Sequence, residues 1–316
     1  MNRPECVSLP TGSPIVPPAR TVLCLGNFDG VHIAHRELIR TARDLRDRSF
    51  PGAACGVFCF RGLSSDLLSR TPPERLTSPG ERLELFARAG AEIAFLAEFS
   101  ELRDVSPRDF VRDVLLRDCG CVAVVCGFNY RFGKNAAGTP DDLRQTFGEN
   151  VVVCPPVLSD GIPVSSTRIR ALLRNGDADQ AAVLLGRPYS VTSVVQHGKA
   201  LGRRLGFPTV NQRFPEKGLI PKHGVYVTEC LTGDGIYRGV SNVGVHPTVD
   251  GEQAPVNCET YLLGYTGDLY GKPVTVRFLR YLREERRFAT VEELREQILR
   301  DTEIARAFPG EGKTPG

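Results

Sequence analysis

No apolar stretch in the 316 residues approaches the roughly 18 to 20 residues that a membrane-spanning helix needs. This absence argues against a membrane-spanning helix and leads to the expectation of a soluble protein. There is no long basic run, and the net charge is only +3 with both signs mixed along the chain. Nothing therefore asks for nucleic acid or an anionic membrane as partner, although small anionic substrates stay open. The ten cysteines lack the paired C-x-x-C spacing of a zinc site, and the nearest clusters, Cys55/Cys59 and Cys119/Cys121, sit in apolar runs. No secretory signal pattern precedes them, so they read as reduced thiols acting as small core residues in a cytoplasmic chain. Internal repeats and low-complexity tracts are also missing.

What is present suits a folded globular chain: 41% hydrophobic and 24% charged residues. The length is more than one ordinary core encloses and predicts two domains. Residues 1–19, rich in proline and polar residues without sustained period, read as a flexible tail. From Thr21 the pattern alternates. Short β-forming runs (TVLCL, Cys55 to Phe60, Ile93 to Leu96, Val122 to Cys126, Val151 to Cys154) are separated by helical patterns. One helix carries Leu38, Ile39, Ala42 and Leu45. Another starts at Ser78 with Pro79 in its first turn and Glu81 as capping partner, and a third runs from Ser106-Pro107 through Phe110, Val111 and Val114. Asp141 to Phe147 reads as a short helix. Such alternation predicts a parallel sheet covered on both faces. The chain then reads as helical from Ser165 to Leu185, with Gly176 and Gly186 as stops.

Beyond Tyr189 the character changes to short β-rich runs punctuated by Gly, Pro and Asp, which predicts an antiparallel barrel. A last helix opens at Thr290, with Glu293 as capping partner and Leu294 and Ile298 on one face. The domain boundary is expected near Gly186.

The segment GNFDGVHIAH, Gly26 to His35, joins the first strand to the first helix at the C-terminal edge of the expected parallel sheet. Ligands of open α/β sheets bind there, and helix N-terminal amides favour phosphate. His32 and His35 can donate to phosphate oxygens and offset developing charge; two exposed loop histidines are the plain alternative. PVSSTRIR, Pro163 to Arg170, sets two serines, a threonine and two arginines where a helix begins, a second anion-holding set or else a helix cap with solvated arginines. GFNYRFGK, Gly127 to Lys134, follows a strand and offers Asn129 as a polar reader of a ligand. HGKALGRRLGFPTVN, His197 to Asn211, combines glycines and basic residues with Thr209 and Asn211, whose oxygens suit hard Mg²⁺ beside ATP phosphates. Taken alone it is equally a basic, glycine-rich turn.

The first three motifs, in this order, resemble the FMN adenylyltransferase half of the bacterial bifunctional riboflavin kinase/FAD synthetase family, and more distantly the HxGH nucleotidyltransferases. HGKALGRRLGFPTVN, GVSNVGVHPTV and Asn257 to Phe288 resemble its riboflavin kinase half. The resemblance implies an α/β plus β architecture: a Rossmann-like nucleotidyltransferase domain over 20–185 and a riboflavin kinase β-barrel with a terminal helix over 186–310. It implies phosphorylation of riboflavin to FMN and adenylylation of FMN to FAD, with ATP as co-substrate and Mg²⁺ as cofactor.

By the same resemblance Gly26, Asn27, Phe28, Asp29, Gly30, His32, His35 and Asn129 line the first ATP site, while Ser166, Thr167 and Arg170 hold the leaving pyrophosphate. Gly198, Gly202, Thr209 and Asn211 bind the second ATP, the last two with the metal. Glu259 is the general base toward the riboflavin 5′-hydroxyl, a role that fits the poor nucleophilicity of a primary alcohol at neutral pH. Arg283 and Phe288 stand near the flavin, with a place on a helix surface as the plain alternative. Two departures from the family pattern are visible: Ala34 replaces the glycine of HxGH, and FCFRG replaces a Phe-x-Pro-His-Pro run. They keep open a kinase with a weakened or inactive adenylyltransferase domain. A flavin-binding regulator without turnover is the third reading, although binding alone has no need of Glu259, Thr209 and Asn211.

Overall fold

The computed structural model describes residues 3–9, 20–62, 70–197, 206–245 and 255–309. The chain divides into two compact units, Met1–Ser166 and Thr167–Gly316.

In the first unit, strands β1 (Glu5–Leu9), β2 (Thr21–Leu25), β3 (Ala54–Phe60), β4 (Ile93–Ala97), β5 (Cys121–Gly127) and β6 (Val151–Cys154) form one sheet in the order β1-β4-β3-β2-β5-β6. Every pairing is parallel. β2 and β4 are buried along their whole length, the condition that makes their sequences continuous apolar runs. Alternate residues of β2 feed opposite cores. Val22 and Cys24 pack with Leu38, Ile39, Ala42 and Leu45 of α1 (Ile33–Ser49) and with Leu85 and Phe86 of α2 (Pro79–Ala89). Leu23 and Leu25 meet Phe110, Val111, Val114 and Leu115, and Leu143 and Phe147 of a later helix. The expected caps are formed: Ser78 Oγ accepts from Glu81 N at 3.2 Å, and Ser106 Oγ from Asp109 N at 3.1 Å. The helix expected from Pro107 is α3 (Pro107–Asp109), which runs on as a π-helix over Phe110–Asp118. Helix α4 (Pro140–Phe147) then leads into β6, and a short antiparallel hairpin of β7 (Leu158–Ser159) and β8 (Ile162–Pro163) follows. This is a doubly wound, Rossmann-like sheet.

The flexible tail expected over residues 1–19 is corrected in part. Glu5–Leu9 form β1, paired residue for residue with Ile93 to Ala97 at the sheet edge. Only Leu9 of this strand is buried, so its order comes from the ladder with β4, which leaves no periodic trace in five residues. Residues 10–19 lie outside the described residues. All ten cysteines are free thiols, and all but Cys6 are buried; burial pushes Cys121 and Cys126 up to about 12.

The second unit starts within the first turn of α5 (Ser166–Asn175) and continues with α6 (Ala178–Leu185), the two helices being closed by left-handed Gly176 and Gly186. Six antiparallel strands follow: β9 (Tyr189–Val194), β10 (Thr209–Arg213), β11 (Gly224–Thr232), β12 (Gly235–Val245), β13 (Val256–Leu262) and β14 (Pro273–Arg283), in the order β10-β13-β12-β11-β14-β9. β10 lies at the end of the HGKALGRRLGFPTVN motif, whose glycines and basic residues carry no strand pattern. The two sheet ends meet through the Gln196–Asn211 bridge. Buried Gln212 donates from Nε2 to Ser193 O and Val274 O, each at 2.8 Å, and so closes the barrel.

Strand alternation gives the barrel two faces. Inside, Thr228, Ser241 and Thr260 form a fully buried hydroxyl ladder at 2.8 and 2.7 Å. Outside, Val227 and Leu279 pack against Ala305 of α7 (Val291–Ala307), which is capped by Thr290 Oγ1 accepting from Glu293 N. Among the described residues, no helix is long and apolar enough to cross a membrane.

Candidate active sites

In the first unit, β3 and β4 extend the sheet to one side of β2, and β5 and β6 to the other. The chain reverses its winding direction between β2 and β5, and a crevice for ligands opens at the C-terminal ends of such strands. Gly26 to His32 follow β2 at this place, and Phe128 and Asn129 follow β5. The connection from β2 is tightly bent: Phe28, Gly30 and Val31 have φ of 53°, 83° and 40°. The two non-glycine residues are held in that strained region because both side chains are fully buried, Phe28 edge-on to Phe86 with centroids 5.5 Å apart. Phe28 is wholly buried, its ring committed to the core beneath the loop.

Asp29, also assigned to ATP, is buried and accepts from Leu76 N at 3.0 Å, while Gly30 N donates to Thr77 Oγ1. Ser166 Oγ donates to Asp29 O at 2.9 Å. A residue not foreseen from the sequence, buried Arg82, donates to Asn27 O, Phe60 O and Arg61 O. The FCFRG segment thus supplies carbonyls that hold Arg82 under the loop. Arg82 sits in an ordinary amphipathic helix, and nothing in its spacing signals this use.

His32 is the N-cap of α1: its Nδ1 accepts from His35 N at 3.3 Å, which leaves Nε2 as the protonated nitrogen of the neutral ring. The two imidazoles stack at 3.6 Å with 14° between planes. Burial, and then the neighbouring His32, hold His35 well below the ordinary histidine value. His35 is therefore neutral at pH 7, and its Nδ1 is buried without a hydrogen-bond partner. Ala34, between them, is half-buried. Asn129 is exposed, and its Oδ1 lies 3.5 Å from where a Cβ on Gly127 would stand. Thr167, exposed, and Arg170, buried, belong to the second unit.

The second unit contains a cavity of about 360 Å³ whose lining includes Thr209, Asn242, Glu259, Tyr261, Arg283 and Phe288. It brings together four residues that sequence reasoning named separately. Register explains how: Glu259 pairs with Asn211 on one side and with Asn242 on the other, and Thr209 pairs with Tyr261. Asn211 shares the β10 face of Thr209 but is not in the cavity wall. Leu294, Ile298 and Asp301 of α7 complete the wall. Between β14 and α7 the chain crosses this face, tied by Asn242 Nδ2 to Glu285 Oε1 at 2.8 Å and by Arg286 Nη2 to Gln297 Oε1 at 2.5 Å. Neither Asn242 nor Asp301 was anticipated; alternation along β12 placed Asn242 on the Glu259 side, but only pairing identifies that side as the site. Gly198 and Gly202 lie outside the described residues.

A Rossmann-like unit followed by a closed antiparallel barrel with its own carboxylate-bearing cavity defines a two-site transferase. Residues 16–168 match the family model described as FAD synthetase, and residues 185–309 that of riboflavin kinase. The bifunctional riboflavin kinase/FMN adenylyltransferase of Bacillus subtilis is 32% identical, with 91% of this chain and 92% of that protein covered. The proteins of the same description from Pseudomonas fluorescens and Escherichia coli K12 are 35% and 33% identical, covering 91% and 92% of this chain and 92% and 93% of their own. A solved Streptococcus pneumoniae structure described as a macrolide-efflux protein superposes with a TM-score of 0.88 at 29% identity, over 96% of this chain and 99% of that one. The chain belongs to the bifunctional riboflavin kinase/FMN adenylyltransferase family.

Proposed function

We propose that the barrel unit transfers the γ-phosphoryl group of ATP to riboflavin, and that the parallel-sheet unit joins the resulting FMN to the AMP moiety of a second ATP, releasing pyrophosphate. The observation that carries the reading is Glu259, which stands in one cavity with Thr209, Arg283 and Phe288. A carboxylate there takes the proton of the riboflavin 5′-hydroxyl as the oxygen attacks the γ-phosphorus and ADP departs. Thr209 and Asn211 present a hydroxyl and an amide oxygen on one face of β10, with Glu259 opposite Asn211. This hard-oxygen set suits Mg²⁺, which would be held by Thr209 and Asn211 and would offset phosphate charge. Arg283 and Phe288 form the wall for the flavin.

In the first unit the FMN phosphate attacks the α-phosphorus of ATP. The chain's contribution there is position and charge stabilisation: exposed Asn27 of the bent segment, the α1 N-terminus, and His32, through Nε2, with His35 as hydrogen-bond donors. Ser166, Thr167 and Arg170 are assigned to the leaving pyrophosphate, and Asn129 to the nucleotide.

Incubation of the pure chain with riboflavin, ATP and Mg²⁺, followed by separation of the flavins, tests the reading. FAD is the expected product. FMN alone would leave only the kinase, and unchanged riboflavin would leave a flavin-binding regulator.

A further inference from the structure

Asp301 is a buried carboxylate, 2% exposed, for which the proposed chemistry has no use. An ionised group in such a place is costly unless its oxygens are paired. Here they are: Arg283 Nη2 donates to Oδ2 at 2.7 Å, Arg283 Nε to Oδ2 and Oδ1 at 3.1 and 3.2 Å, and Gln297 Nε2 to Oδ1 at 2.8 Å. A plain staple between α7 and β14 would account for the ion pair alone. Two further observations do not fit a plain staple.

Asp301 and Arg283 both line the cavity that holds Glu259 and Phe288. The contacts also continue past the ion pair: Gln297, which donates to Asp301, accepts from Arg286 through Oε1. The Arg286 guanidinium lies 4.7 Å from the Phe288 ring centroid, and that of Arg283 lies 6.0 Å from the same ring. Asp301 thus anchors a closed circuit of side chains whose cavity side is a planar ring flanked by two planar cations.

We infer that Asp301 is a positioning residue for riboflavin phosphorylation: through Arg283, and through Gln297 and Arg286, it holds the wall around Phe288 in one arrangement before a flat aromatic ligand arrives. The inference rests on the reading of this cavity as the flavin site. A guanidinium fork gripped by a carboxylate has one orientation, whereas a released arginine must be ordered each time the ligand binds. That ordering cost falls on binding and leaves Glu259 and the transferring phosphoryl group untouched, so it raises KM for riboflavin and spares kcat.

The test uses the full chain with ATP and Mg²⁺, comparing Asp301→Asn, Arg283→Ala and the double variant, with adenylylation of supplied FMN and thermal melting as controls of folding. Asp301→Asn is expected to raise the riboflavin KM about tenfold with kcat within about twofold, and the double variant to raise it by clearly less than the product of the two single effects. An unchanged riboflavin KM in Asp301→Asn, or effects of the two substitutions that multiply in full, overturns the inference. If Arg283→Ala itself leaves the riboflavin KM unchanged, the flavin assignment of the cavity fails instead. Should Asp301→Asn not fold, half-buried Gln297 carries the test: Gln297→Ala is expected to raise the same KM by about twofold to threefold, and an unchanged KM overturns the inference.

Discussion

The two units build their sites by opposite means. In the parallel-sheet unit the centre of the candidate site is one run of consecutive residues: Gly26 to His35 leave one strand, turn through strained φ angles and open one helix. In the barrel unit it is made of single residues from separate elements, Thr209 on β10, Asn242 on β12, Glu259 on β13, Arg283 on β14, Phe288 in the crossing segment and Asp301 on α7. A contiguous site depends on local backbone geometry and a few locks beneath it, here Asp29 and Arg82. A dispersed site depends on register, because a slip of one residue would carry Glu259 to the inside of the barrel.

The largest effect expected from this contrast is at Glu259. Glu259→Gln should lower riboflavin phosphorylation about a hundredfold to ten-thousandfold, the usual loss for a general base. Supplied FMN should still become FAD, and a normal kinase rate would remove Glu259 from the mechanism. In the other unit, His32→Ala with His35→Ala should reduce FAD formation about a hundredfold or more with phosphorylation intact. Loss of both activities together with the folded circular dichroism signal would make the pair structural.

A third prediction concerns where the second unit begins. Helix α6 buries Ala178, Ala181, Leu184 and Leu185 and packs against β14 and β9, and Lys222 N donates to Leu173 O of α5. A fragment spanning Thr167–Gly316 should phosphorylate riboflavin, and one spanning Gly186–Gly316 should be less stable by about 3 kcal/mol, the burial of a few apolar side chains. Equal urea midpoints with equal slopes would show that the helices add nothing to the barrel.

The smallest effect is a pH dependence confined to the first unit. His35 titrates well below its unfolded value near 6.5, so between the two values the unfolded chain binds a proton that the folded chain refuses. Its contribution is complete above about pH 6.5 and is lost as pH falls toward the folded value, at up to about 1.4 kcal/mol per pH unit. Melting between pH 7.5 and 5.5 should show this decline in the native chain and a shallower one in His35→Gln. Identical slopes would mean that another group is responsible.

Local chemistry was enough to read the alternating strands and helices of the first unit, the caps at Ser78, Ser106 and Thr290, and the strand-to-helix connection that carries the candidate residues Gly26 to His35, because periodicity, capping and a strand-to-helix turn each act over a few neighbouring residues. The same holds for Glu259, Thr209, Arg283 and Phe288 as candidates, through family motifs. Tertiary structure decided the rest. It made Glu5–Leu9 a strand by pairing it with β4, committed the side chains of Phe28 and Asp29 to packing and to the loop's own hydrogen bonds, brought Arg82 under the loop, and set Asn242 and Asp301 in one cavity with Glu259. Each of these depends on contacts between residues distant in the chain, where the free energy comes from burial and pairing across elements and leaves no pattern within any one of them.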